Sequence, residues 1–144
     1  MSGMTVIVKT ITRLIAAAIF LYGVYIVLHG HLTPGGGFAG GVIIAASFIL
    51  LILSFGTVEM KEKLSYAFGS IFESIGGLLF ILIASFGLIL GTYFFLNFIP
   101  KGTPLRLVSG GIIPLANIAL GLKVGAGLFT IFLALAASKF IMKE

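Results

Sequence analysis

The chain has 144 residues, of which 60% are hydrophobic and 9% are charged, and nine Lys and Arg against four Asp and Glu give a net charge of +5. A soluble domain typically carries about 25% charged residues, so this composition predicts an integral membrane protein. The absence of cysteine excludes disulfides, iron–sulfur clusters and thiolate metal sites on this chain. The basic residues are spaced singly, which argues against a nucleic-acid interface.

Four apolar stretches meet the requirement of about 20 residues for a membrane-spanning helix. They are roughly Ile11–Leu28, Phe38–Phe55, Ile71–Phe98 and Ile112–Phe140. We therefore predict an all-α, multi-pass protein of the cell membrane, with four transmembrane helices in a single membrane domain over residues 1–144.

The basic residues also predict an orientation. Four spans place both termini and the loop between the second and third spans on the same side of the membrane. Because basic residues favour the cytoplasmic side, and that side carries most of them, both termini are predicted to be cytoplasmic. The residues on that side are Lys9, Arg13, Lys61, Lys63, Lys139 and Lys143, against Lys101 and Arg106 on the other side.

Two histidines, His29 and His31, flank a glycine at the end of the first span. Histidines at this spacing could share a proton or a metal ion. The alternative is an interfacial position with no further role. Both are retained as candidates for a proton or ion pathway.

A glycine-rich segment joins the first and second spans and reads Pro34-Gly35-Gly36-Gly37-Phe38-Ala39-Gly40-Gly41. It contains the spacing G-x-G-x-x-G, but no strand precedes it and no Lys-Ser/Thr follows it, so neither a dinucleotide site nor a phosphate loop is predicted. Glycine permits positive φ and close backbone approach. The segment is predicted to form a tight hairpin on which a neighbour packs, or a short unwound entrance to the second helix.

Ser70 and Glu73 have the spacing of a capping box immediately before the third apolar run. This pattern predicts that the third helix begins there. Glu73 would then lie at the helix end, where the helix dipole stabilises a carboxylate without any further role.

Small residues recur at helical spacing along the third and fourth spans, and such stripes predict close helix contacts in membranes. They do not indicate whether the contact is within this chain or with another. The third span carries Glu73, Gly76, Gly77, Ala84, Gly87 and Gly91, and the fourth carries Ala116, Ala119, Lys123, Ala126, Gly127, Thr130, Ala134 and Ala137.

Lys123 lies near the midpoint of the fourth span, where a charge costs at least about 2.5 kcal/mol on insertion scales. The alternative, snorkelling to the interface, would require its head group to climb about 15 Å. In the predicted third helix Glu73 lies about 20 Å from the middle, and so out of reach of Lys123. Glu59, Glu62 and Glu144 fall beyond the helix ends. Lys123 is therefore predicted to be neutral, solvated by buried water, or paired with an acid of another subunit, which indicates a protein that works in a complex.

Three segments of the chain are HGHLTPGGGFAGGVI (29–43), FESIGG (72–77) and IPLANIALGLKVGAGLF (113–129). Together they resemble the B subunit (MnhB or MrpB) of Mrp-type multisubunit Na⁺/H⁺ antiporters. The membrane module of that family recurs in archaeal membrane-bound hydrogenases and sulfur reductase complexes. The resemblance implies a four-helix subunit that does not transport alone and assembles with other subunits to exchange Na⁺ for H⁺.

The resemblance supports a set of signature positions, which are His31, Pro34, Gly35, Gly36, Gly37, Phe38, Gly40, Gly41, Glu73 and Lys123. The expected partners are other antiporter subunits, hydrogenase or sulfur reductase subunits, and lipid, with no nucleic acid. The chain is expected to be non-catalytic and to hold no cofactor or metal of its own, Na⁺ and H⁺ being the transported ions. The oxygen ligands available to Na⁺ within the spans are those of Ser47, Ser54, Ser85, Asn117, Thr130 and backbone carbonyls.

Three hypotheses follow, in order of preference. The first is an ion-translocating subunit with Lys123, Glu73, His31 and His29 in the ion or proton pathway. The second is a purely structural subunit that packs its neighbours together. The third is a stand-alone exporter, which is disfavoured because compact exporters typically use a membrane-embedded acid.

Overall fold

The computed structural model describes residues 4–56, 65–91 and 93–141, with side chains described as far as Ala136. Its helices are α1 (Val6–Leu28), α2 (Gly36–Phe55), α3 (Tyr66–Leu90) and α4 (Ile113–Ile141). All four are long and apolar enough to cross a membrane. The prediction of an all-α protein with four spans is confirmed.

The helices are arranged in an open row in which α2 packs against α1 and α4, and α4 packs against α3. A weaker contact joins α1 to α4. Because α3 meets the bundle chiefly through α4, both flanks of the α3–α4 contact remain accessible from outside the chain.

Glycines set the distance between α2 and its two neighbours. A Cβ placed on Gly40 would lie 2.9 Å from the carbonyl oxygen of Gly23 in α1, and one placed on Gly41 would lie 2.8 Å from the carbonyl oxygen of Gly121 in α4. Contacts this short exist because no side chain separates the helix backbones. The core of the bundle is therefore built on backbone-to-backbone packing.

The glycine-rich segment consequently has two parts. Gly35 and Gly36 have φ of 133° and 69°, values that favour glycine, and they form the turn from which α2 starts. Gly37, Gly40 and Gly41 are already helical and buried. The predicted hairpin ends at Gly36, and the later glycines pack within this chain instead of receiving a neighbour.

The third helix begins five residues before the predicted start. Ser65 is its N-cap, and the Ser65 hydroxyl accepts a hydrogen bond from the Phe68 N–H at 3.3 Å. The capping box predicted at Ser70 and Glu73 is wrong, because both residues lie inside the helix. Ser74 fits this assignment, since its hydroxyl donates to the carbonyl of Ser70 as in a continuous helix.

The third helix also ends at Leu90, before the predicted Phe98. The chain then turns back, and the N–H of Phe95, at a φ of 60°, donates to the carbonyl of Ala84. A Cβ on Gly87 would lie 2.5 Å from the backbone nitrogen of Leu96. The end of the small-residue stripe, at Ala84 and Gly87, therefore packs against Phe95 and Leu96 of the same chain. This returning segment lies on α3 and does not extend the helix.

The predicted orientation, with cytoplasmic termini, stays a prediction. Several residues on which it rests, Lys61, Lys63, Lys143 and the side chain of Lys139, lie outside the described part of the chain, as do Glu59, Glu62 and Glu144.

Candidate functional site: an ion pair between two membrane helices

Lys123 of α4 and Glu73 of α3 form an ion pair, with the lysine Nζ 3.9 Å from the glutamate Oε1. The prediction that Glu73 cannot reach Lys123 is therefore wrong. The argument that the counter-charge of Lys123 must come from another subunit rested on that prediction and no longer holds. Both members of the pair are provided by this chain.

The helix boundaries explain the pairing. Glu73 is seven residues beyond Tyr66, the first residue of α3, and so about 10 Å along the helix axis from its start. Lys123 is ten residues beyond Ile113, the first residue of α4, or about 15 Å along that axis. Each side chain thus projects from well inside its helix, and the long lysine spans the remaining separation.

Gly76 brings the two helices together beside the pair. A Cβ at this position would lie 2.6 Å from the backbone nitrogen of Lys123 and 2.9 Å from the carbonyl oxygen of Ala119. About two helical turns closer to the start of α3, Gly69 makes a similar close contact with Thr130. The contacts between early α3 and late α4 show that the two helices run antiparallel.

Each charged group lies over a glycine of the opposite helix. A Cβ on Gly127 would be 3.4 Å from the carboxyl carbon of Glu73, and a Cβ on Gly77 would be 3.4 Å from the Nζ of Lys123. The spacing is reciprocal, since each charged residue precedes a glycine of its own helix by four positions. This arrangement lets both head groups lie along the same flank of the α3–α4 contact.

The pair is half exposed, with 48% of the Lys123 side chain and 40% of the Glu73 side chain accessible. In the part of the chain that the structure describes, neither head group makes a hydrogen bond. A pair this open is worth little in water, about 0–1 kcal/mol. At membrane depth, however, charged groups face a protein interior or a water-filled space. Within a membrane, a flank of this polarity suits contact with water or with polar protein groups better than contact with bare hydrocarbon.

The two histidines lie apart from this pair. The His29 Nδ1–H donates to the carbonyl of Tyr25 at 3.0 Å, and its ring stacks on the Tyr25 ring. The His31 Nε2–H donates to the carbonyl of Arg106 at 3.3 Å, and its ring contacts Gly110. The His31 contact fastens the turn after α1 to the long loop before α4, whereas the His29 contacts stay within the end of α1. Within the described residues, no group of three or more His, Cys, Asp or Glu side chains could hold a metal ion.

The candidate oxygen ligands are dispersed along the helices. The hydroxyls of Ser47, Ser85 and Thr130 each donate to a carbonyl of their own helix. The Ser54 hydroxyl is buried without a partner within the described chain.

Asn117 has a role that sequence reasoning missed. Its Oδ1 accepts a hydrogen bond from the Gly37 N–H at 3.3 Å, joining α4 to the first turn of α2. A helix leaves its first N–H groups without intrahelical partners, and Asn117 satisfies one of them from a neighbouring helix. The signal in the sequence is a single amide side chain in a mainly apolar span that also carries Lys123 and Thr130.

We expect Asn117→Leu to destabilise the protein by about 1–3 kcal/mol, because the Gly37 N–H loses its acceptor in a buried site. The measurement is the midpoint of thermal aggregation of the detergent-solubilised complex. Ser85→Ala serves as the control, since that hydroxyl bonds within its own helix. Equal midpoints for the two variants would contradict the bridging role.

An apolar cleft of about 500 Å³ lies on the other flank of the α3–α4 contact, between α3 and the pair α1–α2. Phe68 and Phe72 of α3 form one wall, Phe20 and Phe48 form the other, and Phe129 lies at the base. The charged pair is not part of its lining. The two flanks of α3 therefore differ sharply in polarity.

Residues 7–130 match a family model described as a domain related to the MnhB subunit of Na⁺/H⁺ antiporters. The uncharacterized protein MJ1307 of Methanocaldococcus jannaschii is 36% identical over 146 residues, covering 97% of this chain and 55% of that protein. A putative antiporter subunit, mnhB2 of Staphylococcus aureus, is 37% identical over 89 residues, covering 62% of this chain and 60% of that protein.

A solved structure shares the fold. It is a chain of the membrane-bound sulfane sulfur reductase, an archaeal respiratory membrane complex, with 36% identity and a TM-score of 0.76. The match covers 89% of this chain and 56% of that chain. This chain thus spans little more than half the length of the relatives it matches.

Proposed function

The chain belongs to the family of domains related to the MnhB subunit of Na⁺/H⁺ antiporters, and from this membership we propose that it contributes to Na⁺ and H⁺ translocation within a multisubunit antiporter module. It is a multi-pass membrane protein. In this proposal the chain does not exchange ions alone, and its partners are other membrane subunits of the module.

The ion pair of Glu73 and Lys123 is the observation that supports a role in translocation. A carboxylate at membrane depth can hold a proton or a cation, and the nearby ammonium neutralises it when neither is bound. A proton or Na⁺ arriving at Glu73 competes with Lys123 for the carboxylate. Because the pair is loose, at 3.9 Å, the lysine can be displaced without breaking a hydrogen-bonded contact.

The need for partner subunits rests on the exposure of this pair. A flank with 40–48% of two charged side chains accessible is unsuited to bare hydrocarbon. Partner subunits would keep these charged side chains out of hydrocarbon if they cover the flank or enclose water against it. The host is an antiporter or, as for the sulfane sulfur reductase relative, a respiratory complex. The subunits that co-purify with the chain would distinguish the two.

The alternative is a purely structural subunit that joins its neighbours through glycine faces. The contacts weaken this alternative, because Gly40, Gly41 and Gly76 pack against helices of their own chain. A Cβ on Gly77 or Gly127 would instead meet the charged side chain of the opposite helix at an ordinary contact distance of 3.4 Å, so neither glycine is required for backbone packing.

The test is Glu73→Gln, which keeps the shape of the side chain and removes its charge. We expect the complex to assemble normally on native gels and Na⁺-dependent proton exchange to fall at least about a hundredfold, the usual scale for loss of a proton-transferring group. Exchange is followed by dequenching of a pH-sensitive dye in inverted vesicles from a host without its own antiporters.

Lys101→Gln, in the exposed loop before α4, provides the control for loss of a single charge. Normal exchange by Glu73→Gln would contradict the proposal. Loss of assembly together with exchange would favour the structural alternative.

A further inference from the structure

A polar stripe on α3 leads from the beginning of the helix to the ion pair. It consists of Tyr66, Ser70, Glu73, Ser74 and Gly77. At 100° per residue these five positions fall within an arc of about 100° on the helix surface. Tyr66 is 61% exposed, Ser74 is exposed, and Ser70 and Glu73 are partly exposed. The stripe therefore extends without interruption over about three helical turns.

The stripe stops at the level of Lys123. The next residue on the same line is Ile81, which is 62% exposed, and beyond it lies Leu88, which is 56% exposed. The opposite flank of α3 carries Phe68 and Phe72 in the apolar cleft. The polar surface is thus concentrated on one flank and in the first half of the helix. Beyond Ile81, the partly exposed Ser85 uses its hydroxyl to donate a hydrogen bond to the Ile81 carbonyl.

The adjacent glycines of α3 show why there is space beside Lys123 where this stripe ends. A methyl group on Gly76 would collide with the backbone of α4, so this glycine is required for the helix contact. A methyl group on Gly77 would meet the Nζ of Lys123 at 3.4 Å and its Cδ at 3.8 Å, which are ordinary contact distances. Gly77 therefore is not needed for packing. Its lack of a side chain leaves space beside the ammonium group, as Gly127 does beside the carboxylate.

We propose that water follows this stripe from the membrane surface at the start of α3 to the pair formed by Glu73 and Lys123. The stripe is then this chain's wall of an aqueous half-channel, and Ile81 marks its closed end. Charged groups exposed at membrane depth are stable when water reaches them, and a tyrosine at the first helical position suits the polar interface. The ions that use this water belong to the proposed function, whereas access of water to the stripe does not depend on it.

The half-channel can be tested by cysteine labelling, because the chain contains no cysteine of its own. Ser74→Cys and Gly77→Cys report on the stripe. Leu78→Cys and Ile81→Cys are the matched controls, since these side chains are 61% and 62% exposed in the chain but lie off the stripe or beyond its end. Each variant is assembled into the complete complex in membrane vesicles, and assembly is verified on native gels.

The probe is a charged, membrane-impermeant methanethiosulfonate reagent applied from one side at a time. The cysteine thiolate attacks the sulfur of such a reagent and displaces its sulfinate, and the thiolate forms where water is present. We expect the two stripe positions to react at least about tenfold faster than the two controls, from the side on which α3 begins. The unsubstituted complex gives the background from cysteines of partner subunits.

Equally slow labelling of all four positions would overturn the proposal, because the stripe would then be covered by dry protein or lipid. Equally fast labelling would overturn it as well, since water would not be confined to the stripe. If Gly77→Cys disturbs assembly, Ser74→Cys carries the test, as it replaces one small exposed side chain by another. The two proposals can fail separately. If the stripe positions are labelled as expected but the Glu73→Gln complex exchanges ions normally, the half-channel is supported and only the role of Glu73 in translocation is contradicted.

Discussion

Replacing Lys123 by leucine will abolish Na⁺/H⁺ exchange and reduce the amount of assembled complex. The substitution leaves the Glu73 carboxylate unpaired at membrane depth, where a charged side chain costs on the order of 2.5–3.5 kcal/mol on insertion scales. Removing one member of an ion pair leaves the other charge uncompensated, which is more damaging than removing both members. The double variant Lys123→Leu/Glu73→Leu is therefore expected to recover the yield without recovering exchange.

The yield is measured by fluorescence-detected size-exclusion chromatography of a tagged chain, and exchange by dye dequenching in vesicles normalised to that yield. Lys101→Leu is the matched control, because it makes the same chemical change at an exposed loop position. Normal exchange by the double variant would show that the ion pair is dispensable. A double variant as poorly assembled as the single one would show that the loss comes from packing and not from the unpaired charge.

The four membrane spans could be predicted from the sequence because hydropathy over about 20 residues is a local property. The ends of the third span could not. Ser65 and Ser70 are equally good N-caps by residue type. Because Glu73 follows Ser70 by three positions, the capping-box pattern favoured Ser70, whereas the N-cap is Ser65. At the other end, the mostly apolar residues 93–98 give no stop signal, and only the folded chain shows that they turn back against α3 through Phe95 and Leu96.

These boundary errors determined what could be learned about the site. With α3 centred near residue 84, Glu73 lies too far from the membrane centre to meet Lys123. With the observed bounds of Tyr66 and Leu90, its centre moves to residue 78 and the pair forms. The sequence identified both charged residues as candidates, but their pairing depends on helix limits, rotation and the close approach at Gly76. These are set by tertiary packing.

For the glycines too, part of the role could be predicted from the sequence and part could not. Sequence patterns indicated that small residues mark close helix contacts, and Gly40, Gly41 and Gly76 do so. They did not separate Gly76 from Gly77, which are adjacent and differ entirely in what a side chain would meet. Distinguishing a packing glycine from one that leaves space beside a charged group requires the position of the neighbouring helix.

Substitution of Gly40 by valine is expected to have the largest effect on the fold itself. A Cβ at this position would lie 2.5 Å from Cγ2 of Val27 and 2.9 Å from the carbonyl oxygen of Gly23, so α1 and α2 must separate. Overpacking of a well-packed contact typically costs about 1–3 kcal/mol, and here the obstacle is partly helix backbone, which cannot adopt another rotamer. We expect the chain to aggregate on solubilisation, with loss of the assembled complex.

Ala46→Leu on the same helix is the matched control for this prediction, since it adds the same number of heavy atoms at an exposed position that suits lipid. Both variants are followed by size-exclusion chromatography and by the midpoint of thermal aggregation of the solubilised complex. A monodisperse Gly40→Val complex with the midpoint of Ala46→Leu would mean that α1 and α2 do not pack through their backbones.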